Sequence, residues 1–309
     1  MSKNKTRELA LNFTSNTVWP FSKKTSITDL FAGTTDHHSH ILPGVDDGVE
    51  SIDEAQNILA TYERLGMKEL WLTPHIMEDI PNTPEKLRTR FLELKAAYKG
   101  NIQLHLAAEY MIDNHLRKLL QETTKLRPAL EGRWHEQSKV TEGDKTTEPQ
   151  GEISLNSPSF QKREYPKGEG DRNPKQDFPH LLPIGKKRDH LLVETSYFNP
   201  PMRFKETLKQ IKSNGFHPLL AHPERYMYMD NDEYRELHDE GIRFQLNILS
   251  LAGSYGKAVK KRAEWLLAHD LYSVAGSDLH SQVAIDIITN CKLGQKESKK
   301  LELLLKNSI

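Results

Sequence analysis

Thr35-Asp36-His37-His38-Ser39-His40-Ile41-Leu42-Pro43-Gly44-Val45-Asp46-Asp47-Gly48 is the stretch on which the reading of this chain turns. Along an extended strand side chains alternate faces, so Asp36, His38 and His40 point one way and His37 and Ser39 the other. Two imidazoles two residues apart on one face can grip one cation, and Asp47 arrives from the following turn. Two polar histidines beside a Gly-Asp turn would be the ordinary alternative, and the rest of the chain weighs against it.

Outward from this stretch the same pattern repeats. Extended, apolar segments are expected at 68–73, 101–109, 190–195, 217–222, 242–247 and 271–276, making seven with the first. Helices fall between them. Ser51 opens a capping box with Glu54, and Ile52, Ala55, Ile58, Leu59, Tyr62 and Leu65 form a stripe that Gly66 stops. Thr83-Pro84 opens a second helix, and further helices are expected over 114–122, 203–214, 230–240, 257–269, 282–291 and 295–305. Strands alternating with helices predict an α/β fold closed as a parallel, TIM-like (β/α)7 barrel. In such a barrel the functional side chains gather at the C-terminal strand ends.

That is where this chain carries its candidate ligands. In order they are His38, His40 and Asp47, then His75, Glu109, Glu194, His222, and finally Asp278 with His280. Singly, His75 reads equally as a turn residue and Asp278 as a helix cap; their shared placement is the argument. A single ion needs about four protein ligands, so this set suits about two or three. Mixed imidazole and carboxylate donors favour Mn, Fe or Zn over Ca or Mg. The sixth strand offers only Gln245 and Asn247, which could touch substrate. Arg225, three residues beyond His222, is placed to clamp a phosphate with its planar fork.

The bulk properties set bounds. Lys+Arg and Asp+Glu both count 43, so no net basic field exists to recruit nucleic acid or anionic membrane. No run of about eighteen apolar residues is present to span a bilayer. The polar start lacks a secretory h-region, and Cys291 is the only cysteine, so a cytoplasmic protein without disulfides is expected. Cys291 reads as a buried structural residue of the 282–291 helix. Residues 1–309 are expected to form one domain, with a lead-in over 1–30 and a polar, disordered insertion over 125–177.

His38-Ser39-His40 through Asp47-Gly48, Thr73-Pro74-His75, Ala221-His222-Pro223-Glu224-Arg225 and Ser277-Asp278-Leu279-His280 together resemble the polymerase-and-histidinol-phosphatase (PHP) superfamily. Within it, the chain resembles the manganese-dependent protein-tyrosine phosphatases of bacterial capsular and exopolysaccharide biosynthesis. The resemblance implies a distorted seven-stranded barrel, a trinuclear Mn²⁺ centre on the same nine residues, and phosphate binding by Arg225. It further implies a metal-activated water as nucleophile, with Arg225 and Asp47 in the catalytic machinery. The implied partner is the tyrosine-phosphorylated tail of a polysaccharide co-polymerase kinase, with a homo-oligomer as a possible assembly. One departure stands out: relatives often carry a second arginine where this chain has Ile285. The alternatives are a PHP-fold phosphoesterase for a small metabolite such as histidinol phosphate, and a weakened binding scaffold.

Overall fold

The computed structural model describes residues 24–125 and 180–309. The expected insertion lies outside the described residues apart from Lys125, as does the lead-in before residue 24. The first described residues belong to the fold itself. β1 (Thr25–Ser26) pairs antiparallel with β11 (Lys292–Leu293), and the Ile27 amide donates to the Cys291 carbonyl at 3.1 Å. The remaining strands are β2 (Thr35–Asp36), β3 (Glu69–Leu72), β4 (His75–Ile76), β5 (Gln103–Leu106), β6 (Glu109–Met111), β7 (His190–Glu194), β8 (His217–Ala221), β9 (Arg243–Asn247) and β10 (Tyr272–Gly276). The helices are α1 (Ile52–Arg64), α2 (Pro84–Ala97), α3 (114–125), α4 (Phe204–Ser213), α5 (Asn231–Asp239), α6 (Ile248–Ala252), α7 (Lys257–Ala268), α8 (Gln282–Asn290) and α9 (Gln295–Lys306).

Local chemistry fixes most helix starts. Ser51 Oγ accepts from the Glu54 amide (3.2 Å), but the Glu54 carboxylate reaches back to the Glu50 amide, one residue before the reciprocal position expected for a capping box. Asp230 and Glu233 complete a true capping box on α5. Cys291 falls just past α8, half-buried, rather than inside it.

Among the described residues, apart from the β1–β11 pair and an isolated antiparallel bridge between Ile184 and His190, the strands pair in parallel. The ladders run β10-β9-β8-β7-β6-β4 in one sheet and β2-β3-β5 in another. The regular strands therefore fall into separate sheets where one closed sheet was expected. The break has a local cause: Pro74, which lacks an N–H, separates β3 from β4, and Ala107-Ala108 separates β5 from β6. Backbone bonds nevertheless cross both gaps. Ala107 N donates to Leu72 O (2.9 Å) and Glu109 N to Pro74 O (3.1 Å), while Asp278 N donates to His38 O (2.8 Å) and His40 N to Leu279 O (2.9 Å).

Strand alternation splits the apolar residues into two clusters. Leu70, Leu72, Leu191, Val193 and Leu220 join the large core that includes the helices, while Trp71, Ala107, Leu192, Leu219, Ala221 and Val274 form a second, inner cluster. Glu109 is two residues beyond Ala107 and Glu194 two beyond Leu192. The same period therefore stands both carboxylates above the inner cluster, on one face.

Candidate metal centre

All nine predicted ligand residues converge. His75 is paired in register with Glu109, and Glu194 stands two residues beyond Leu192, the partner of Glu109 on β7, so β4, β6 and β7 present these side chains on one face. His222 directly follows β8, and Asp278 and His280 follow β10. The donor atoms group as His40, Asp47, His75 and His280; His38, His222 and Asp278; His38, His40 and Glu109; and His75, Glu109 and Glu194, each group lying within 4.8 Å. Glu109 sits at the centre, its Oε2 3.3 Å from His38 Nε2, 3.4 Å from His40 Nε2 and 3.2 Å from His75 Nδ1. Two of these residues, His222 (φ 34°) and Asp278 (φ 52°), hold the left-handed backbone conformation that side chains rarely adopt, a strain that tends to collect at functional sites.

The hydrogen-bond network fixes which ring nitrogens are free. Gln245 Nε2 donates to the Leu246 carbonyl (2.6 Å), which leaves Oε1 as the acceptor for His38 Nδ1 at 2.9 Å. Asp46 Oδ2 accepts from His40 Nδ1 at 2.9 Å. With both protons on Nδ1, the two Nε2 lone pairs face each other across 3.1 Å. That is the arrangement of two ligands prepared for one cation, each held by an outer hydrogen bond. His280 is oriented likewise, its Nδ1 donating to the Asp278 carbonyl at 2.9 Å and its Nε2 3.5 Å from Asp47.

Buried atoms left without hydrogen-bond partners point the same way. His75 Nδ1, Glu109 Oε2 and His222 Nδ1 are all shielded from water and unsatisfied. The electrostatics describe an anionic cluster short of positive charge. Burial works to raise the Glu109 pKa, but His38, His222 and His40 outweigh it and hold the carboxyl well below its usual range. Glu194 goes the other way: burial, then the charges of Glu109 and Asp278, push it well above. Asp47, at the more exposed edge, is held at about 2 by its hydrogen bond with His280. This donor set, with no charge-balancing lysine inside it, fits divalent cations.

Arg225 also stands where a phosphate clamp was expected, lining a cavity of about 620 Å³ together with Asp47, His75, Glu194, Tyr197 and His280. Its Nη1 donates to Asp278 Oδ2 at 3.0 Å, and its guanidinium lies over the rings of both Tyr197 and Tyr255.

Other expectations change. Gln245 and Asn247 are buried and spent on ligand support, Asn247 Nδ2 donating to Asp278 Oδ2 at 2.8 Å. Asp36 does not join the cluster, because regular strand ends at that residue. Its carboxylate instead accepts from Tyr62 Oη (2.9 Å), His38 N (3.1 Å) and Ser277 N (2.9 Å). Ile285 is 2% exposed and packs in the core, so this position does not open on the cavity; α8 and its cap contribute Ser281 and Ala284 instead. Sequence reading missed Asp46, Tyr197 and Tyr255. Asp46 was visible only as the neighbour of Asp47, and the tyrosines carried no spacing signal at all.

A family model described as capsular polysaccharide synthesis, CpsB/CapC, matches residues 34–132 and 181–291. The chain is 28% identical over 287 residues to the tyrosine-protein phosphatase CpsB of Streptococcus pneumoniae, covering 86% of this chain and 93% of that one. It is 24% identical over 292 residues to the tyrosine-protein phosphatase YwqE of Bacillus subtilis, covering 88% and 91%. The putative tyrosine-protein phosphatase CapC of Staphylococcus aureus is 24% identical over 252 residues, covering 80% and 76%. In three dimensions the fold matches a chain from the crystal structures of B. subtilis YwqE and S. pneumoniae CpsB, described as metal-dependent tyrosine phosphatases. The TM-score is 0.59 at 19% identity, covering 88% of this chain and 94% of that one. Among the described residues no helix is long and apolar enough to cross a membrane.

Proposed function

The chain belongs to the CpsB/CapC family of capsular polysaccharide synthesis, and from that membership and the cluster geometry we propose that it is a metal-dependent protein-tyrosine phosphatase. His38, His40, Asp47, His75, Glu109, Glu194, His222, Asp278 and His280 are the metal ligands of this reading. The observation that carries it is the facing Nε2 pair of His38 and His40, 3.1 Å apart with both Nδ1 protons committed elsewhere. Manganese is the favoured ion, on the donor chemistry and the family resemblance. The seven strand positions act as one distorted barrel, a reading supported by the backbone bonds that bridge the separate sheets.

When bound, the cations supply Lewis acidity, lowering the pKa of a coordinated water and neutralising charge on the phosphoryl oxygens. The rest of the chemistry falls to the side chains. Arg225 donates to the equatorial phosphoryl oxygens and holds the group for in-line displacement. Asp47, ionised at neutral pH and 65% exposed, accepts a hydrogen bond from the attacking water at the cavity mouth. A tyrosine leaving group has a pKa of about 10 and departs with less proton assistance than an alkoxide, which favours aryl esters. The tail of a polysaccharide co-polymerase kinase is the substrate this reading assigns, and capsule production the process it regulates.

The test is phosphate release from a phosphotyrosine peptide and a matched phosphoserine peptide by chelator-stripped protein, with and without Mn²⁺. Manganese-restored, tyrosine-selective turnover that is lost in His222→Ala and Arg225→Ala is expected. Equal rates on both peptides, or rates indifferent to metal, would reject the reading.

A further inference from the structure

Among the described residues that line the cavity, Arg225 is the one arginine or lysine, and its surroundings are unusually complete. Its Cζ lies 4.1 Å from the Tyr197 ring centroid and 4.2 Å from that of Tyr255, so an aromatic ring is set against it from two separate loops. In its own plane, Nη1 is taken by Asp278 Oδ2 at 3.0 Å. That same oxygen accepts from Asn247 Nδ2 (2.8 Å), and Asn247 Nδ2 also reaches Tyr255 Oη at 3.3 Å. The other oxygen of Asp278 faces the ligand histidines, 3.5 Å from His38 Nε2 and 3.4 Å from His40 Nε2. One carboxylate therefore ties the arginine to the cluster, and two tyrosines settle its remaining freedom.

The tyrosines are themselves held. The Tyr197 carbonyl accepts from the Met227 amide at 2.7 Å, and its ring stacks on buried Tyr226 with centroids 6.4 Å apart. Tyr255 stands between α6 and α7, and burial raises its phenol to about 12, so it remains a neutral ring at working pH. An arginine on its flexible stem would otherwise be ordered anew each time an anion binds, which weakens the contact.

We propose that Tyr197 and Tyr255 are positioning residues, an aromatic clamp that fixes the Arg225 guanidinium so that it meets a phosphoryl group in a single orientation. The clamp deepens the phosphatase reading and rests on it for its substrate, but its anion-binding consequence is measurable without turnover.

The test is calorimetric binding of inorganic phosphate to the Mn²⁺-loaded full chain, for the unsubstituted protein and for Y197L, Y255L, Y197F and Y255F. Bound metal is counted on each sample, and kcat and KM are measured on the phosphotyrosine peptide alongside. Each leucine variant is expected to weaken phosphate binding about 3- to 30-fold at unchanged metal content. The phenylalanine variants, which keep the aromatic face, should stay within about threefold. If phosphotyrosine is not cleaved but the leucine variants still weaken phosphate, the phosphatase reading fails and the clamp stands. Phosphate affinity unchanged in Y197L and Y255L overturns the clamp. So does loss of metal parallel to loss of phosphate, an equal deficit in the phenylalanine variants, or no phosphate binding by the unsubstituted protein.

Discussion

Replacing Asp46 with alanine separates ligand support from ligation, because Asp46 is one bond removed from the donor atoms. Its Oδ2 accepts from His40 Nδ1 at 2.9 Å and from the His75 amide at 3.0 Å, and its Oδ1 from the Gly48 amide at 3.1 Å. The carboxylate thus sets the His40 tautomer, the start of β4 and the turn that carries Asp47, and its side chain is fully shielded from solvent. Asp46→Ala removes all three hydrogen bonds. A support of this kind is worth about 10- to 100-fold in metal affinity, or roughly 1.4–2.7 kcal/mol. The bond to the His40 ring contributes about 1.5–3 kcal/mol to stability where one partner is charged. Competition for Mn²⁺ against a calibrated chelator reads the first quantity, and urea unfolding of the stripped protein reads the second. Asp46→Asn should fall between, since an amide oxygen can still accept but carries no charge. Metal affinity within about twofold of the unsubstituted value for Asp46→Ala would refute the reasoning. The His40 lone pair would then not depend on the Asp46 bond.

Three further outcomes follow from the same structure. A Cβ on Gly276 would lie 2.5 Å from His38 Cβ and 2.7 Å from His38 N, so Gly276→Ala should displace the His38 backbone, cost about 1–3 kcal/mol and lower metal occupancy in elemental analysis. Ile285→Arg should destabilise by about 3–5 kcal/mol without raising kcat, because the residue is core-facing; a Tm equal to the parent's would contradict this. Burial, against the opposing pull of Asp189, lowers the His190 pKa from 6.5 to about 4. The folded chain therefore resists a proton that the unfolded chain accepts. Stability from this residue is complete above pH 6.5 and falls by about 2–3 kcal/mol as pH drops to 4. The difference between the parent and His190→Gln in urea midpoints across that range isolates it.

The nine-residue cluster was legible in the sequence because strand chemistry is local. An apolar run ending on Glu needs only the alternation of faces and parallel pairing to place its last side chain, as Glu194 illustrates; Glu109 instead opens β6 after the Ala107-Ala108 break, and His222 follows β8 in a left-handed turn. Asp278 and His280 lie just beyond β10, yet their spacing survived as a signal. What escaped was whatever depends on distant parts of the chain. Asp36 shares the strand parity of His38, but β2 ends there and tertiary contacts to Tyr62 and Ser277 claim its carboxylate. Gln245 and Asn247 look from sequence like residues available to substrate, and only the folded register shows them bonded to His38 and Asp278. Tyr197 and Tyr255 reach Arg225 from loops that no periodicity describes. The interrupted pairing at Pro74 had a visible cause, since proline cannot donate, but its effect on the sheets depends on how the neighbouring strand adapts.

The central claim is that these nine residues exist to hold cations that act on phosphotyrosine. Its most direct test counts ions per chain by elemental analysis of the stripped and Mn²⁺-reconstituted full-length protein, with phosphotyrosine turnover measured on the same samples and on Glu109→Gln. About two or three ions per chain should return together with activity, and Glu109→Gln, altered where two of the donor groups meet, should lose at least one ion and at least about 100-fold in turnover. Turnover by the stripped chain at the reconstituted rate, or full activity in Glu109→Gln with its ions gone, would contradict it.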